Sequence, residues 1–235
     1  MTPWLNPSRS RSSHTKSVNA MLQIAQQPLT KLYPPRPELA IPPKFIADYD
    51  NGKFAGQLKL NGSCGVLHFS AGSEPVLLER EDLIKMSVQQ PLEYKKVFRK
   101  NFKSAIVIGE YMNKNKKGFD GQPFNHKFVI NDIISLDGVQ LTGKSFEDRM
   151  KILDKILIKP IAKQNFLYQY SENIYRCENI LVGIKEAYEN NIAIDMVEGI
   201  VVKSINSILH DCHNKKNLNS KWQFKFRKPT KCYQF

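Results

Sequence analysis

Gln57-Leu58-Lys59-Leu60-Asn61-Gly62, set between Gly56 and Ser63, decides how this chain is read. Leu58 and Leu60 flank a lysine at strand spacing, and an Asn-Gly turn follows. Phe54 to Leu60 therefore reads as a strand that ends in a lysine and a tight glycine turn. A lysine two residues before Asn-Gly is common, so taken alone the stretch is a strand edge with a solvated cation. The rest of the chain has to give it meaning.

On the C-terminal side, Gly65 to Ser70 reads as a second strand, paired with the first as a hairpin through Gly62. Pro75 to Glu79 is a third strand, followed by Arg80-Glu81-Asp82. Leu92 to Phe102 has helical periodicity with Pro91 at its start. Ser104 to Met112 and Lys127 to Ile134 are apolar, β-branched runs. A charged loop carrying Lys114, Lys116 and Lys117 separates them, and Asp137-Gly138 turns the chain afterwards. Ser145 is a helix N-cap with Asp148 three residues on, and Phe146, Met150, Leu153 and Leu157 line one face. Pro160 should end that helix. Ile180 to Tyr188 reads as another helix, and Met196 to Lys203 and Trp222 to Arg227 as strands. Strands linked largely as hairpins, with a few helices between them, predict an α+β fold with mostly antiparallel sheets.

On the N-terminal side, Tyr33-Pro34-Pro35-Arg36-Pro37 and Pro42-Pro43 enforce extended backbone, a strap laid along the domain. Before it, residues 1–32 contain no acidic side chain and include Ser8-Arg9-Ser10-Arg11-Ser12-Ser13, the composition of a disordered basic arm. An organelle transit peptide shares that composition, but Pro3 and Pro7 would interrupt its amphipathic helix. The expected organisation is an arm over 1–32 and one domain over 33–235.

The 235 residues carry 35 Lys and Arg against 22 Asp and Glu, a formal charge of +13. A surplus of that size favours a polyanionic partner, because each neutralised phosphate releases counterions. No basic amphipathic helix with an aromatic apolar face argues for a membrane surface, and no segment is long and apolar enough to span one. Cys64, Cys177, Cys212 and Cys232 are too widely spaced for a disulfide framework and suit a reducing compartment. His210-Asp211-Cys212-His213 matches no zinc spacing and reads as a polar loop.

Five short segments carry chemistry in collinear order: Lys59-Leu60-Asn61-Gly62, Ile108-Gly109-Glu110-Tyr111, Phe128-Val129-Ile130-Asn131-Asp132-Ile133, Glu198-Gly199-Ile200-Val201-Val202-Lys203 and Lys225-Phe226-Arg227. On a strand, Lys225 and Arg227 share one face while Phe224 and Phe226 take the other. Two cations so placed can clamp a phosphate, and Glu110 and Glu198 can serve a hard cation that prefers carboxylate, water and phosphate oxygens.

Taken together, these segments resemble motifs I, III, IIIa, IV and V of the covalent nucleotidyltransferases, the superfamily of ATP-dependent DNA ligases, RNA ligases and mRNA capping guanylyltransferases. The resemblance covers roughly residues 33 to 231, and Glu-Gly-Ile-Val-Val-Lys is its most specific part. It implies a ligase adenylation-domain fold without an OB domain, since the chain stops four residues after Lys231. It implies Lys59 as the nucleophile that becomes adenylated, with Lys203 and Lys225 assisting. An ATP site would draw on Gln57, Lys59, Arg80, Glu110, Phe128, Lys203, Lys225 and Arg227. Glu198 and Glu110 would hold Mg²⁺ or Mn²⁺, and Lys114, Lys116, Lys117, Lys221 and Lys228 would meet nucleic acid. The chain departs from the pattern at Asn61 (usually Asp), Gln57 (often Glu), Cys64 (often Arg) and Asn131 (usually the Phe that stacks on the base).

Several features resemble phage-type DNA ligases in particular: the Pro34–Pro37 strap, Glu198 to Lys203, and Asp132-Ile133-Ile134-Ser135-Leu136-Asp137-Gly138 followed by Phe146-Glu147-Asp148-Arg149. The expectation is a minimal, monomeric DNA ligase that seals nicked duplex DNA by way of a lysyl-AMP, cytoplasmic in a phage or bacterial setting, with a protein partner standing in for the OB domain. RNA ligase, guanylyltransferase and a non-catalytic nucleic-acid-binding protein on the same fold are the alternatives.

Overall fold

The apolar runs become strands because β-branched and aromatic residues fit a pleated, half-buried surface. The computed structural model describes residues 31–89, 93–215 and 219–229, so residues 1–30 of the arm expected over 1–32 and the helix start at Pro91 lie outside the described residues, while Leu32 is buried in the main core. Among the described residues there are twelve strands: β1 (Arg36–Ala40), β2 (Phe54–Leu60), β3 (Ser63–Ser70), β4 (Val76–Glu79), β5 (Ser104–Tyr111), β6 (Phe128–Leu136), β7 (Val139–Gln140), β8 (Ala162–Gln164), β9 (Leu167–Gln169), β10 (Ile174–Cys177), β11 (Val197–Ser204) and β12 (Asn219–Arg227). Helices are few: a 3₁₀ helix at Pro43–Tyr49, α1 (Tyr94–Val97), α2 (Phe146–Ile156) and α3 (Ile184–Asn191).

The strands form two sheets. The smaller runs β1-β12-β11-β2, the larger β4-β3-β5-β6-β10-β9-β8 with β7 against β6. Three buried clusters set the layers. The largest lies where α2 packs on the large sheet, with Phe146, Met150 and Leu153 against Ile130, Ile133 and Val107. A second joins the sheets through Leu58, Leu60, Val129, Tyr175 and Val197. A third covers the other face of the small sheet, with Ile184 and Ala187 of α3 and Ile46 of the 3₁₀ helix over Ile200, Val202 and Phe226. The architecture is α+β, and the described residues close no barrel.

Gly62 does not close a hairpin. β2 belongs to the small sheet and β3 to the large one, so Asn61-Gly62 carries the chain from one sheet to the other. A Cβ at Gly62 would lie 2.5 Å from the Tyr111 carbonyl oxygen, so the crossing passes hard against β5. The strap is a strand as well: β1 runs parallel to β12, with Ala40 opposite Lys225.

Three helices differ from their sequence patterns. Of the stretch Leu92 to Phe102, the described residues form only the single turn α1. Phe98 is extended, bridges to Leu157 and joins a ring cluster in which its centroid lies 4.8 Å from Phe69 and 5.6 Å from Phe102. Tertiary packing of the three rings outweighs the local helical preference. That bridge also ends α2 at Ile156, four residues before Pro160. The helix expected from Ile180 starts at Ile184, because Ile180 pairs with Gly56 and Gly183 adopts φ +78°. The Ser145 cap is as expected, its hydroxyl accepting from the Asp148 N–H at 3.0 Å.

Gly199 has φ +155°, and a Cβ there would lie 1.9 Å from the Phe226 carbonyl oxygen. No side-chain rotation relieves a clash with backbone, so Gly199→Ala must push β11 and β12 apart. We expect it to cost about 2–3 kcal/mol, read as a lower urea midpoint at unchanged slope.

His68 on β3 is buried, its Nε2 has no hydrogen-bond partner among the described residues, and burial pushes its pKa down to about 4. Between about pH 4 and the ordinary value of 6.5 the unfolded chain binds a proton that the folded one refuses. Stability should therefore fall as pH drops through that window. Urea midpoints from pH 7 to 4 should show a shallower fall in His68→Leu than in the wild type.

Candidate functional site

β2 and β11 pair antiparallel with Gly199 opposite Lys59, which sets Glu198 beside the lysine across the strands. The Lys59 ammonium and the Glu198 carboxylate are in direct contact. Arg227 on β12 reaches the other Glu198 oxygen at 3.5 Å. Lys225, one pleat along, faces the same cleft, while Phe226 is fully buried in the third cluster, so the alternation expected of this strand is the one the fold uses. From the large sheet come Glu110 at the end of β5 and Arg80 just after β4. Arg36 arrives on β1 and Lys114 on the loop after β5.

Together these residues line a cleft of about 490 Å³ with six cations (Arg36, Lys59, Arg80, Lys114, Lys225 and Arg227) and two carboxylates. So strongly positive a concavity is built for a polyanion. The electrostatics agree. Burial and then the neighbouring Arg227, Lys59, Arg36 and Arg80 hold the Lys225 pKa below the usual lysine value. Burial would raise the Glu198 carboxyl, but Lys59 and Arg227 overcome it and hold it below the usual range. Glu110 goes the other way. Burial, with a smaller push from Glu198, raises it to about 7 against the opposing pull of Lys59, the Gly62 N–H and Arg80. Glu110 Oε1 accepts from that N–H at 3.0 Å, so the close crossing at Gly62 and the carboxylate position are one feature.

Beneath Lys59 and Arg80 the cleft continues into an inner cavity of about 120 Å³ between the two sheets, whose lining includes Gln57, Ile108, Asn131, Val201 and Lys203. Lys203 is buried, with its Nζ 3.4 Å from the Asn131 carbonyl oxygen, 3.8 Å from Asp132 and 4.7 Å from the Phe146 ring centre. It therefore lines the inner cavity rather than the open cleft. Phe128, expected at the nucleotide, instead lies at 0 % exposure in the main core. Its ring sits where a side chain on Gly109 would be, and it reaches neither cavity.

The basic residues expected at nucleic acid are dispersed. Lys114 Nζ donates to Asn61 Oδ1 at 2.9 Å at the cleft. Lys116 and the Lys117 backbone N–H both bind Asp195 at 3.0 Å. Lys228 Nζ is 3.5 Å from the Ile192 carbonyl, and Lys221 is exposed on β12. Among the described residues no group of three or more His, Cys, Asp or Glu could hold a metal, the His210–His213 loop included. Glu110 and Glu198 supply two carboxylates on one cavity, which suits a magnesium ion completed by water and phosphate oxygens.

Sequence reasoning missed Arg36 and Asn179. Arg36 was the one cation in a strap expected to lie along the domain, which was a usable signal. Asn179, which accepts from Gln57 Nε2 at 2.8 Å, sits in a loop with no local pattern.

No family model matches the sequence, and no curated protein matches it. Solved structures do. A mycobacterial DNA ligase D complexed with ATP and MES is similar over 86% of this chain and 62% of its own, at 14% identity and TM-score 0.59. The ligase domain of M. tuberculosis LigD matches over 86% of this chain and 61% of its own, at 14% identity and TM-score 0.57. A structure from work on DNA binding by Lig E DNA ligases matches over 83% and 68%, at 12% identity and TM-score 0.50. The chain thus spans about three fifths of the length of the first two. What it shares with them is the nucleotidyltransferase fold of DNA ligase domains.

Proposed function

We propose that the chain is an ATP-dependent polynucleotide ligase that seals nicks in duplex DNA through a lysyl-AMP intermediate. One observation carries the reading: Lys59 opens, beside Glu198, Arg227 and Lys225, onto a cationic cleft with a cavity of about 120 Å³ beneath it. That is room for a triphosphate above and a base below.

A free lysine is protonated at neutral pH, so the attacking amine must first lose a proton. Glu198 is the carboxylate in contact with it. The Lys59 amine then attacks the α-phosphorus, a P–N bond forms, the α–β P–O bond breaks and pyrophosphate leaves. A nick 5′-phosphate oxygen displaces the lysine from AMP. A 3′-hydroxyl finally attacks the activated 5′-phosphorus, and AMP leaves. Lys225, Arg227 and Arg80 line the cleft where the phosphoryl charge develops, so catalysis is positioning plus charge neutralisation. Glu198 and Glu110 would hold a magnesium or manganese ion, which when bound shields phosphate charge.

The test is ATP labelled at the α-phosphate, followed by denaturation and a search for label on the protein, then transfer to nicked duplexes with DNA or RNA at the nick. Label from ATP that moves to a DNA nick is the expected result. Transfer only to RNA would change the substrate, and label from GTP alone would make the chain a guanylyltransferase. No label on the protein, with no AMP already attached by mass, would overturn the reading.

A further inference from the structure

Away from the cleft, the large sheet carries a second concavity. The pairings of β8 with β9 and of β9 with β10 set Lys163, Tyr168 and Arg176 directly opposite one another, so the three side chains share one face in a row across the strands. On that face α2 packs over β6 and reaches Arg176, whose Nη2 lies 3.9 Å from Met150 Sδ. Tyr168 and Arg176 line a cavity of about 350 Å³ there, together with Asp154, Tyr170 and Glu178. It shares no lining residue with the cleft or with the inner cavity.

Arg176 is the buried member of the row, at 6% exposure. Its Nη1 contacts Asp154 Oδ1, and its Nε has no hydrogen-bond partner among the described residues. The Asp154 side chain is 63% exposed, and a pair with one partner so far into water is weakly held. The planar guanidinium fork matches a phosphate, which can take the place of that carboxylate and meet the donor left over.

Tyr168 is the aromatic member. Its hydroxyl donates to Glu178 Oε1 at 2.9 Å, and Lys163 Nζ donates to the same oxygen at 2.7 Å, so the charge of Glu178 is already matched. The Lys163 ammonium also lies 5.1 Å from the Tyr168 ring centre, and its side chain is half-exposed. That face of the ring is therefore covered by a movable cation rather than by core. Alongside, residues 151–163 carry exposed Lys151, Lys155, Lys159 and Lys163, with Asp154 as their sole acid.

We infer that this face is a second nucleic-acid site and that it takes a single strand: a base stacks on Tyr168 where the Lys163 head now lies, and a neighbouring phosphate takes the Arg176 fork from Asp154. The cations call for a polyanion. The ring calls for bases whose faces are free, which a duplex does not offer along its length. The inference does not depend on the ligase reading, because no residue of the cleft takes part.

The experiment is the anisotropy of a labelled oligothymidylate strand, with a blunt duplex of the same length beside it. Tyr168→Leu should weaken binding of the single strand by about 10-fold, the loss of one stacked base. Tyr168→Phe, which keeps the ring and gives up the hydroxyl, should bind as the wild type does. Lys163→Ala should weaken the strand and lower the salt slope by about 1, while Asp154→Asn should tighten it by about 3-fold. The duplex should not distinguish Tyr168→Leu from the wild type. Single-strand binding unchanged in Tyr168→Leu protein with a wild-type melting curve would overturn the inference. So would strand and duplex weakened alike, which would leave a basic surface without stacking. A thymidine mononucleotide that competes as well as the strand would overturn it too, by assigning the cavity to a free nucleotide.

Discussion

Lys59→Ala protein should acquire no label from α-labelled ATP, its self-adenylation falling by on the order of 10⁴-fold or more, while its fold stays intact. The nitrogen that forms the P–N bond would be gone, and no other amine shares its position. Lys225 lies in the same cleft, but two strands away on β12 rather than against Glu198. Lys59→Arg should fail too, since a guanidinium keeps its proton at any workable pH. Stability should hardly move. The Lys59 side chain is 19% exposed, and its partner Glu198 retains Arg227, so the loss should stay within about 1 kcal/mol. The pairing of the two results matters. A large loss of labelling in a protein with an unchanged melting curve assigns chemistry to Lys59. Retained labelling would move the nucleophile elsewhere. Nicked duplex bearing a preformed 5′-adenylate bypasses the first steps, so Lys59→Ala should still seal it at a measurable rate.

How far the sequence reached depended on whether a feature was local. β2, β5, β6, β11 and β12 were legible to within a few residues because each is a dense apolar or alternating run between turn residues. Which strands pair was not. β2 shows buried residues on both faces, so its pattern fits the inside of either sheet, and Asn61-Gly62 looks the same as a hairpin turn or as a crossing. The short strands β8, β9 and β10 escaped notice because three or four residues carry no periodicity. The cleft residues were legible because their chemistry is carried by collinear motifs, each within one strand. The exceptions are instructive. Phe128, expected at the nucleotide, went to the core, and β6 carries an extra residue, Asn131, between Ile130 opposite Gly109 and Asp132 opposite Ile108, so simple alternation is a poor guide to which of its side chains face the cavity. Asn179 meets Gln57 through a hydrogen bond between residues 122 apart in sequence, which no window can see.

Asp132→Ala should be the most destabilising single change outside the backbone, at about 3–5 kcal/mol. Arg149, at 0% exposure, donates Nε to Asp132 Oδ1 and Nη2 to Oδ2, both at 2.9 Å. Its Nη1 donates to the Lys144 carbonyl at 3.0 Å, and the guanidinium lies 5.4 Å from the Trp222 ring. Among the described residues Asp132 is therefore the one carboxylate bound to two buried cations, Arg149 and Lys203. Burial would raise its pKa, but Arg149 and Lys203 outweigh burial and hold it below the usual 3.8. Its contribution is present at neutral pH and is lost only as pH falls below the carboxylate range. Removing the carboxylate leaves both buried cations without their counter-charge. The paired replacement Asp132→Leu with Arg149→Met takes out two of the three charges and should recover part of the loss, with Lys203 left without its carboxylate. Urea midpoints of the single and double variants measure this directly. The arrangement also ties stability to the site. Asp132 comes from the large sheet, Lys203 from the small one and Arg149 from α2, and the same Lys203 lines the inner cavity. The double variant, partly restored in stability but without the carboxylate, should label more slowly than the wild type, because Lys203 would no longer be held against the Asn131 bulge. If it labelled at the wild-type rate, the buried pair would serve stability alone and Lys203 would find its place without it.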